Sequence, residues 1–516
     1  MSLWRIAWRS LEQRGLASLL TTLSMALGVM MVVAVLSISG IVSASFRSNA
    51  SLGYNMIVGA KGGKLQLTLN TVYYLSQPVE NVPYDFFLEF FPQSVRDEQL
   101  KNSLRYQAFR ARVEGLSVVN RTPPEALLGV TSPLVDAALE ALTAQSLELG
   151  RDGKYSQFTS LAIPLCLGDY LGRFRVVGTT TDFFDQLTFG PENDRKYEFT
   201  AGRNFHPRDA EHGFFEAVLG AEVAREMGLQ LGDTFASTHG DPEGAGHGRR
   251  FTVVGILKPS GTPNDRVAFV NMEGFYLMED HAKPLEEPEQ TADHAAHSET
   301  DQHAHSPAEL PPLCNEQREV TAILVRTITP LVTPGLKNAI NEGREAQAVL
   351  PVLEIYSLFE SIVRPFQLLL LALTALICLV SGVSILVSIY NSMSDRRHEI
   401  AVMRALGANR TTVMTIILWE SILLSLAGGA LGWLAGHTLN WLASPRIEAQ
   451  TGVTVRFWDL APPLRDIEIW GLGPIMGWVS PEVLIIPALI VLAIAVGLLP
   501  AIAAYRTDVS KSLQDA

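Results

Sequence analysis

Apolar positions along this chain follow two patterns. Four stretches are almost continuously apolar: 17–43 (ASLLTTLSMALGVMMVVAVLSISGIVS), 366–390, 411–439 and 483–504. Each has about the 20 residues that a helix needs to cross a bilayer, so each predicts a transmembrane helix. Between the first and second, residues 44–364 alternate short apolar runs with polar punctuation. FRVVGTT, EAVLG, FTVVGIL, RVAFV and TAILVR read as strands. Residues 83–114 and AEVAREMG (221–228) read as helices. AVLGAEVAREMGLQLGDTF reads as strand, helix, glycine stop and strand, and 351–364 predicts a helix leading into the second span. The predicted fold class is an α-helical membrane protein with four transmembrane helices plus a large α+β extracytoplasmic domain.

Charge orients the spans. Arg5, Arg9 and Arg14 precede the first, Arg396, Arg397, Arg404 and Arg410 separate the second from the third, and Arg506 and Lys511 follow the fourth. The positive-inside rule then puts both termini, the 391–410 loop and the tail 505–516 in the cytoplasm, and the loop 440–482 outside. Arg446, Arg456 and Arg465 in that outer loop run against the rule. The first run is longer than a signal peptide's apolar region and lacks a clear A-x-A site, which favours an uncleaved span. Before it, residues 1–16 predict an amphipathic helix, with Trp4, Trp8 and Leu11 on one face and Arg5, Arg9 and Glu12 on another. Such a helix suits the membrane interface.

Composition narrows the functional classes. The 516 residues are 47% hydrophobic and 18% charged, with a net charge of −13. That balance excludes a general nucleic-acid binder. Of three cysteines, Cys378 falls in an apolar run, where packing is its expected role. For Cys166 and Cys314, a disulfide and two free thiols are equally open readings. VGAKGGKL (58–65) misses the Walker A spacing by one residue, and Leu65 stands where Ser or Thr would hold Mg²⁺. It reads instead as a glycine-rich turn between strands. The sequence has no H-E-x-x-H, no G-x-S-x-G and no catalytic acid pair in a recognisable context.

The stretch 281–314 is rich in Pro, Ala, Glu and His and poor in core-forming residues, so it predicts a disordered insertion. His294, His297, His303 and His305 lie near Asp293, Glu299 and Asp301. Imidazole with carboxylate suits Zn²⁺, Cu²⁺ or Ni²⁺. The bland reading, a polar linker that happens to carry histidine, has the stronger prior.

Residues 391–410 pose a different question. Ser394 or Asp395 can cap a helix running to about residue 406. Ile400, Met403 and Leu406 form an apolar stripe, Arg397, Glu399 and Arg404 project elsewhere, and Gly407 ends the helix. A basic loop can serve topology alone. An apolar face with no core to cover points instead to a docking surface. In the third span, Gly428, Gly432 and Gly436 recur every four residues, a spacing that favours close helix packing over chance. Glu420, about 13 Å into that span at 1.5 Å per residue, should face protein or a water pocket, pair with a loop arginine, or snorkel.

SMSDRRHEIAVMRALGANRTTVMTIILWESILLSLAGGALGWLAG (392–436) resembles the C-terminal core of the FtsX-like, MacB-type ABC transporter permease family. Arg396, Arg397, Glu399, Ile400, Arg404, Ala405, Gly407 and Ala408 match its charged loop, Asp395 replaces a Glu, and Glu420, Gly428 and Gly429 match the next span. The tail LLPAIAAYRTDVSKSLQ is similar to the family's terminal motif, with Val509 where Pro is usual. The resemblance extends to the first span and, over 200–257, to the MacB-type periplasmic core.

The resemblance implies a multi-pass protein of the bacterial cytoplasmic (inner) membrane. It implies a dimer with itself or a paralogue, contact with membrane lipids and a periplasmic partner, and two separate cytoplasmic ABC ATPase subunits. ATP and Mg²⁺ would bind those ATPases, with no cofactor in this chain; Zn²⁺ on the histidine-rich stretch is the separate reading of its residues given above. The 391–410 helix, through Arg396, Arg397, Glu399, Ile400, Met403, Arg404, Leu406 and Gly407, would be the coupling element, transmitting ATP-driven motion outward for export or for lipid or lipoprotein extraction. The alternative is a signalling scaffold that relays ATPase state to an outer hydrolase.

Overall fold

The computed structural model describes the chain except for residues 1–2, 14, 50–51, 76, 78–79, 112–147, 191–193, 241–243, 245, 280, 286–309, 396–399, 401, 405, 452–454, 462–479 and 507–516. Two compact units result: 1–46 together with 358–516, and 47–357.

The second unit is built on an 11-stranded sheet. In chain order its strands are β1 (Met56–Gly59), β2 (Thr159–Leu171), β3 (Phe174–Thr179), β4 (Phe199–Gly202), β5 (Glu216–Leu219), β6 (Thr234–Phe235), β7 (Thr238–His239), β8 (Phe251–Leu257), β9 (Val267–Asn271), β10 (Ala322–Thr327) and β11 (Gln347–Val349). The spatial order is β11-β1-β10-β2-β3-β9-β5-β8-β4, with β7 added to β2 and β6 to β8. Most pairs are antiparallel, but β9 runs parallel to β3 and β8 parallel to β5. A parallel pair needs a crossover. Helix Ala221–Met227 lies in the one from β5 to β8, ending at Gly228 in the left-handed region (φ 67°). Gly220 must precede that helix, because a Cβ there would lie 2.4 Å from the Asp265 carbonyl oxygen.

All five strands expected from sequence are present. The strand that organises the sheet, β2, was not expected. It pairs with β10 on one side and with β3 on the other, the latter through a two-residue turn at Gly172 (φ 55°). Against the sheet pack Phe86, Phe87, Leu88, Phe90 and Tyr155, which join Met56, Ala162 and Ile323 in one buried cluster.

Two expectations are corrected here. The helix expected over 83–114 is broken into Tyr84–Leu88, Gln93–Leu100 and a further helical stretch over 104–111; Pro92 cannot continue a helix and instead precedes the second piece. The 58–65 turn leads from β1 into a helix, Lys64–Tyr73, rather than into another strand. Gly59 allows the close return, since a Cβ there would lie 2.6 Å from Leu67. Cys166 and Cys314 are both free thiols.

The helical unit holds helices Leu3–Gln13, Gly15–Asn49, Arg364–Asp395, Arg410–Thr451 and Ile485–Arg506. Among the described residues, four helical stretches are long and apolar enough to cross a membrane: Gly15–Ile38, Pro351–Asn391, Arg410–Ile447 and Pro481–Ile502. The third helix continues through Pro445 to Thr451, so part of the expected 440–482 loop, including Arg446, is helical. The second begins with helix Pro351–Leu358 and a π-helical turn, Phe359–Val363, before Arg364–Asp395. Polarity in this unit is inverted relative to a water-soluble bundle. Leu19, Leu20, Leu23 and Leu27 are exposed, while Ser37, Ser381, Glu420, Ser421, Ser425, His437 and Asn440 are buried. Lipid as the surrounding solvent accounts for that arrangement, because apolar side chains lose nothing there and polar ones must find protein partners.

Candidate functional site

The helical unit is held together by close approaches at small residues. A Cβ at Gly428 would fall 2.7 Å from Met25 Cβ, one at Gly432 would fall 2.4 Å from the Ala26 carbonyl oxygen, and one at Gly436 would fall 2.9 Å from Val33 Cβ. The glycine stripe of the third span therefore lies against the first span, backbone to backbone. Gly28 does the same for the second span, where Cys378 Sγ would be 3.0 Å from its Cβ, and Ser24 and Ser381 hydroxyls meet one turn away at 2.9 Å. Gly497 on the fourth span leaves room for Ser421.

Residues 402–404 are helical, and the helix closes with a left-handed glycine cap. Gly407 has φ 102°, the Ala408 N–H donates to the Met403 carbonyl, and the Gly407 N–H donates to the Arg404 carbonyl. This six-to-one and five-to-two pair is the Schellman arrangement. The apolar stripe, however, is not free. Ile400 is buried in the cluster formed by Met25, Val29, Ile385, Val413 and Ile417, and Met403 packs against it. The premise that this face has no core to cover is therefore corrected: two of its three positions cover the protein's own bundle. Leu406 alone of the three projects, at 83% exposure. Arg396, Arg397 and Glu399 lie outside the described residues.

Glu420 is buried among the spans, beside the fully buried Ser421. A second buried carboxylate escaped the sequence reading. Glu482, just before the fourth span, accepts hydrogen bonds from Ser37 Oγ (2.8 Å), the Ala461 N–H (2.8 Å), Trp433 Nε1 (3.3 Å) and His437 Nε2 (3.0 Å). It gathers the first, third and fourth helices at one polar point. At the chain's start, Trp4 and Trp8 are half exposed with ring centroids 5.7 Å apart, while Ala7 is buried and Leu11 packs on the bundle core.

The sheet unit carries a cluster that sequence reasoning also missed. Asp169 on β2 and His239 on β7 are direct cross-strand partners. His247 returns on the hairpin's far arm, its N–H donating to the Ser237 carbonyl at 2.9 Å. His281 follows the short helix Met272–Tyr276. Asp169 Oδ1 lies 3.1 Å from His239 Nδ1 and 3.0 Å from His281 Nε2, and Oδ2 lies 3.3 Å from His247 Nε2. Asp169 is fully buried, and His281 and His247 are nearly so. Burial, then the neighbouring His239 and His247, pushes the His281 imidazolium down to about 3. Burial raises the Asp169 carboxyl despite Ser237 and the histidines, which pull it down. Two signals were available in the sequence: an acid inside the apolar run TSLAIPLCLGDYL, and histidines at both ends of the turn-forming HGDPEGAGH. His294, His297, His303 and His305 lie outside the described residues.

Comparison with known proteins now bears on both units. The family model of the MacB-like periplasmic core domain matches residues 18–296, and that of the FtsX-like permease C-terminal domain matches 371–509. The chain belongs to the MacB/FtsX-type ABC transporter permease family. Over 67 residues it is 33% identical to the macrolide export ATP-binding/permease protein MacB of Escherichia coli. It has the same identity over the same length to MacB 2 of Escherichia coli O1:K1 / APEC. The matched stretch is 13% of this chain and only 10% of either relative. One chain thus carries both a MacB-like core match and an FtsX-like match that includes the capped turn at Gly407 and Ala408.

Proposed function

We propose that this chain is a permease subunit that couples ATP hydrolysis by a separate ATPase subunit to conformational work on the sheet unit. The observation that carries this reading is the pairing, in one chain, of a MacB-like core match over 18–296 with an FtsX-like match over 371–509. No Walker A motif occurs among these 516 residues, and in this reading a separate nucleotide-binding subunit supplies the energy. The docking element is the 391–410 segment. Its grip is narrower than the apolar stripe implied: Leu406 at the capped turn and the charged rim, rather than Ile400 or Met403. Because Ile400 and Met403 are rooted in the bundle core, a push on the turn is transmitted to the packed spans rather than absorbed by a loose loop.

In this reading both termini and the 391–410 segment are cytoplasmic, the sheet unit is extracytoplasmic, and the membrane is the bacterial inner membrane. The working unit holds two permeases, identical or paralogous, and two ATPases that carry ATP and Mg²⁺. The work is export or the extraction of a lipid or lipoprotein, with membrane lipid as the immediate surroundings.

Reconstitution tests this. Vesicles containing the permease and a candidate ABC ATPase partner should hydrolyse ATP faster than the ATPase alone, and a hydrolysis-dead ATPase should cause substrate to accumulate in cells. Loss of an outer hydrolase activity with no accumulation would replace transport with the signalling-scaffold reading. No stimulation and no association would overturn both.

A further inference from the structure

We propose that Asp169, His239, His247 and His281 form a binding site for a divalent transition metal of the Zn²⁺ class. The inference does not rest on the permease reading, and it concerns residues other than the histidines at 294–305. One ligand atom from each of the four residues can be chosen so that all lie within 4.8 Å of one another. A tetrahedral ion with metal–ligand bonds of about 2.0–2.1 Å has ligand–ligand edges of about 3.3–3.4 Å. From Asp169 Oδ1, the separations to His281 Nε2 (3.0 Å) and His239 Nδ1 (3.1 Å) lie close to that edge, and His247 Nε2 is 3.3 Å from the same carboxylate's Oδ2.

Among the histidines, hydrogen bonding accounts only for the contact of His239 Nδ1 with Asp169 Oδ1, at 3.1 Å. Nε2 of His247 and of His281 are both buried and have no hydrogen-bond partner, although each lies close to the Asp169 carboxylate. Leaving two such atoms unsatisfied is costly, and a cation between them and the carboxylate would satisfy all three groups. The surroundings are those of a supported site. Ser237 Oγ donates to Asp169 Oδ2 at 2.7 Å and fixes the carboxylate, as outer hydrogen bonds do around metal ligands. The Phe275 ring packs on His281 at 4.5 Å and limits water on that side. Three imidazoles with one carboxylate select Zn²⁺, Co²⁺, Ni²⁺ or Cu²⁺; Mg²⁺ and Ca²⁺ prefer all-oxygen sites, and Cu⁺ prefers sulfur. The His239 side chain is 54% exposed, so the ion can enter and leave through that ligand without unfolding the sheet.

The test uses the full chain in detergent, stripped with a chelator and titrated with Co²⁺ and then Zn²⁺. The wild type and a variant lacking residues 286–309 should each take up a tight equivalent of Co²⁺ with the intense visible absorption of a tetrahedral site, displaced by Zn²⁺. His247→Ala with His281→Ala should abolish that band. Ser237→Ala should weaken binding about tenfold. Should the double variant fail to fold, the half-exposed His239→Ala substitutes, with a loss of about tenfold or more expected from removing a ligand. Equal affinity and spectrum in wild type and ligand variants would overturn the proposal. So would binding that disappears entirely when 286–309 is removed.

Discussion

Gly432 on the third span lies so close to Ala26 on the first that a Cβ at position 432 would sit 2.4 Å from the Ala26 carbonyl oxygen. Gly428 and Gly436 make the same kind of approach one turn to either side. Backbone is the obstacle at Gly432, so no rotamer change can relieve a larger residue. Gly432→Ala should cost about 1–3 kcal/mol as overpacking, and Gly432→Leu should separate the two helices. Thermal unfolding in detergent measures this. Gly15→Ala, where nothing lies within 4 Å, is the control and should leave the midpoint unchanged.

Cys166 and Cys314 should differ sharply in reactivity. Burial pushes the Cys166 thiol up to about 12, with its Sγ 3.2 Å from the Tyr276 hydroxyl. A buried, protonated thiol is inert. Maleimide should label Cys314 in the folded protein and Cys166 only after denaturation, read by peptide mass. Reductant should not change gel mobility, because the structure has no disulfide.

Glu89 gives the sheet unit an acid-sensitive point. Burial would raise its carboxyl. Arg151 (2.7 and 2.8 Å), the Lys154 N–H (2.8 Å) and Arg96 (3.2 Å) outweigh that and hold it below the ordinary value. A depressed carboxyl stabilises the fold above its unfolded pKa, about 4.3, and that contribution is lost as pH falls toward the folded value. Glu89→Gln should lower stability by about 1–3 kcal/mol at neutral pH, leaving the buried Arg96 short of a partner. It should also flatten the acid limb of the midpoint-versus-pH curve. An acid limb as steep as wild type would contradict this.

Much of the architecture was legible because its signals are local. A spanning helix satisfies its own backbone, so a continuous apolar run is enough to mark it. β-branched strands such as FTVVGIL announce themselves in the same way. The central strand β2 did not, because Pro164 and Gly168 punctuate it and read as breakers. In the sheet Pro164 stands opposite Ile323, and a bulge between Leu167 and Asp169 absorbs Gly168. The glycine stripe was readable from spacing alone, but its partner, the first span, was not. The stripe at Ile400, Met403 and Leu406 was visible, but whether it met solvent or the bundle depended on helices far away in sequence. The Glu482 point and the Asp169 cluster share that limit. Each joins residues from distant elements, and only strand register or helix packing brings them together.

The central claim is that an ATPase grips the turn at 406–407. Copurification of the full chain with its ATPase, wild type against Leu406→Asp, tests it most directly, with Leu331→Asp as an equally exposed control in the sheet unit. Leu406 makes no buried contribution to the fold, so Leu406→Asp should leave the melting midpoint unchanged while the ATPase is lost. Leu331→Asp should retain it. Undiminished association in the Leu406 variant would contradict the account.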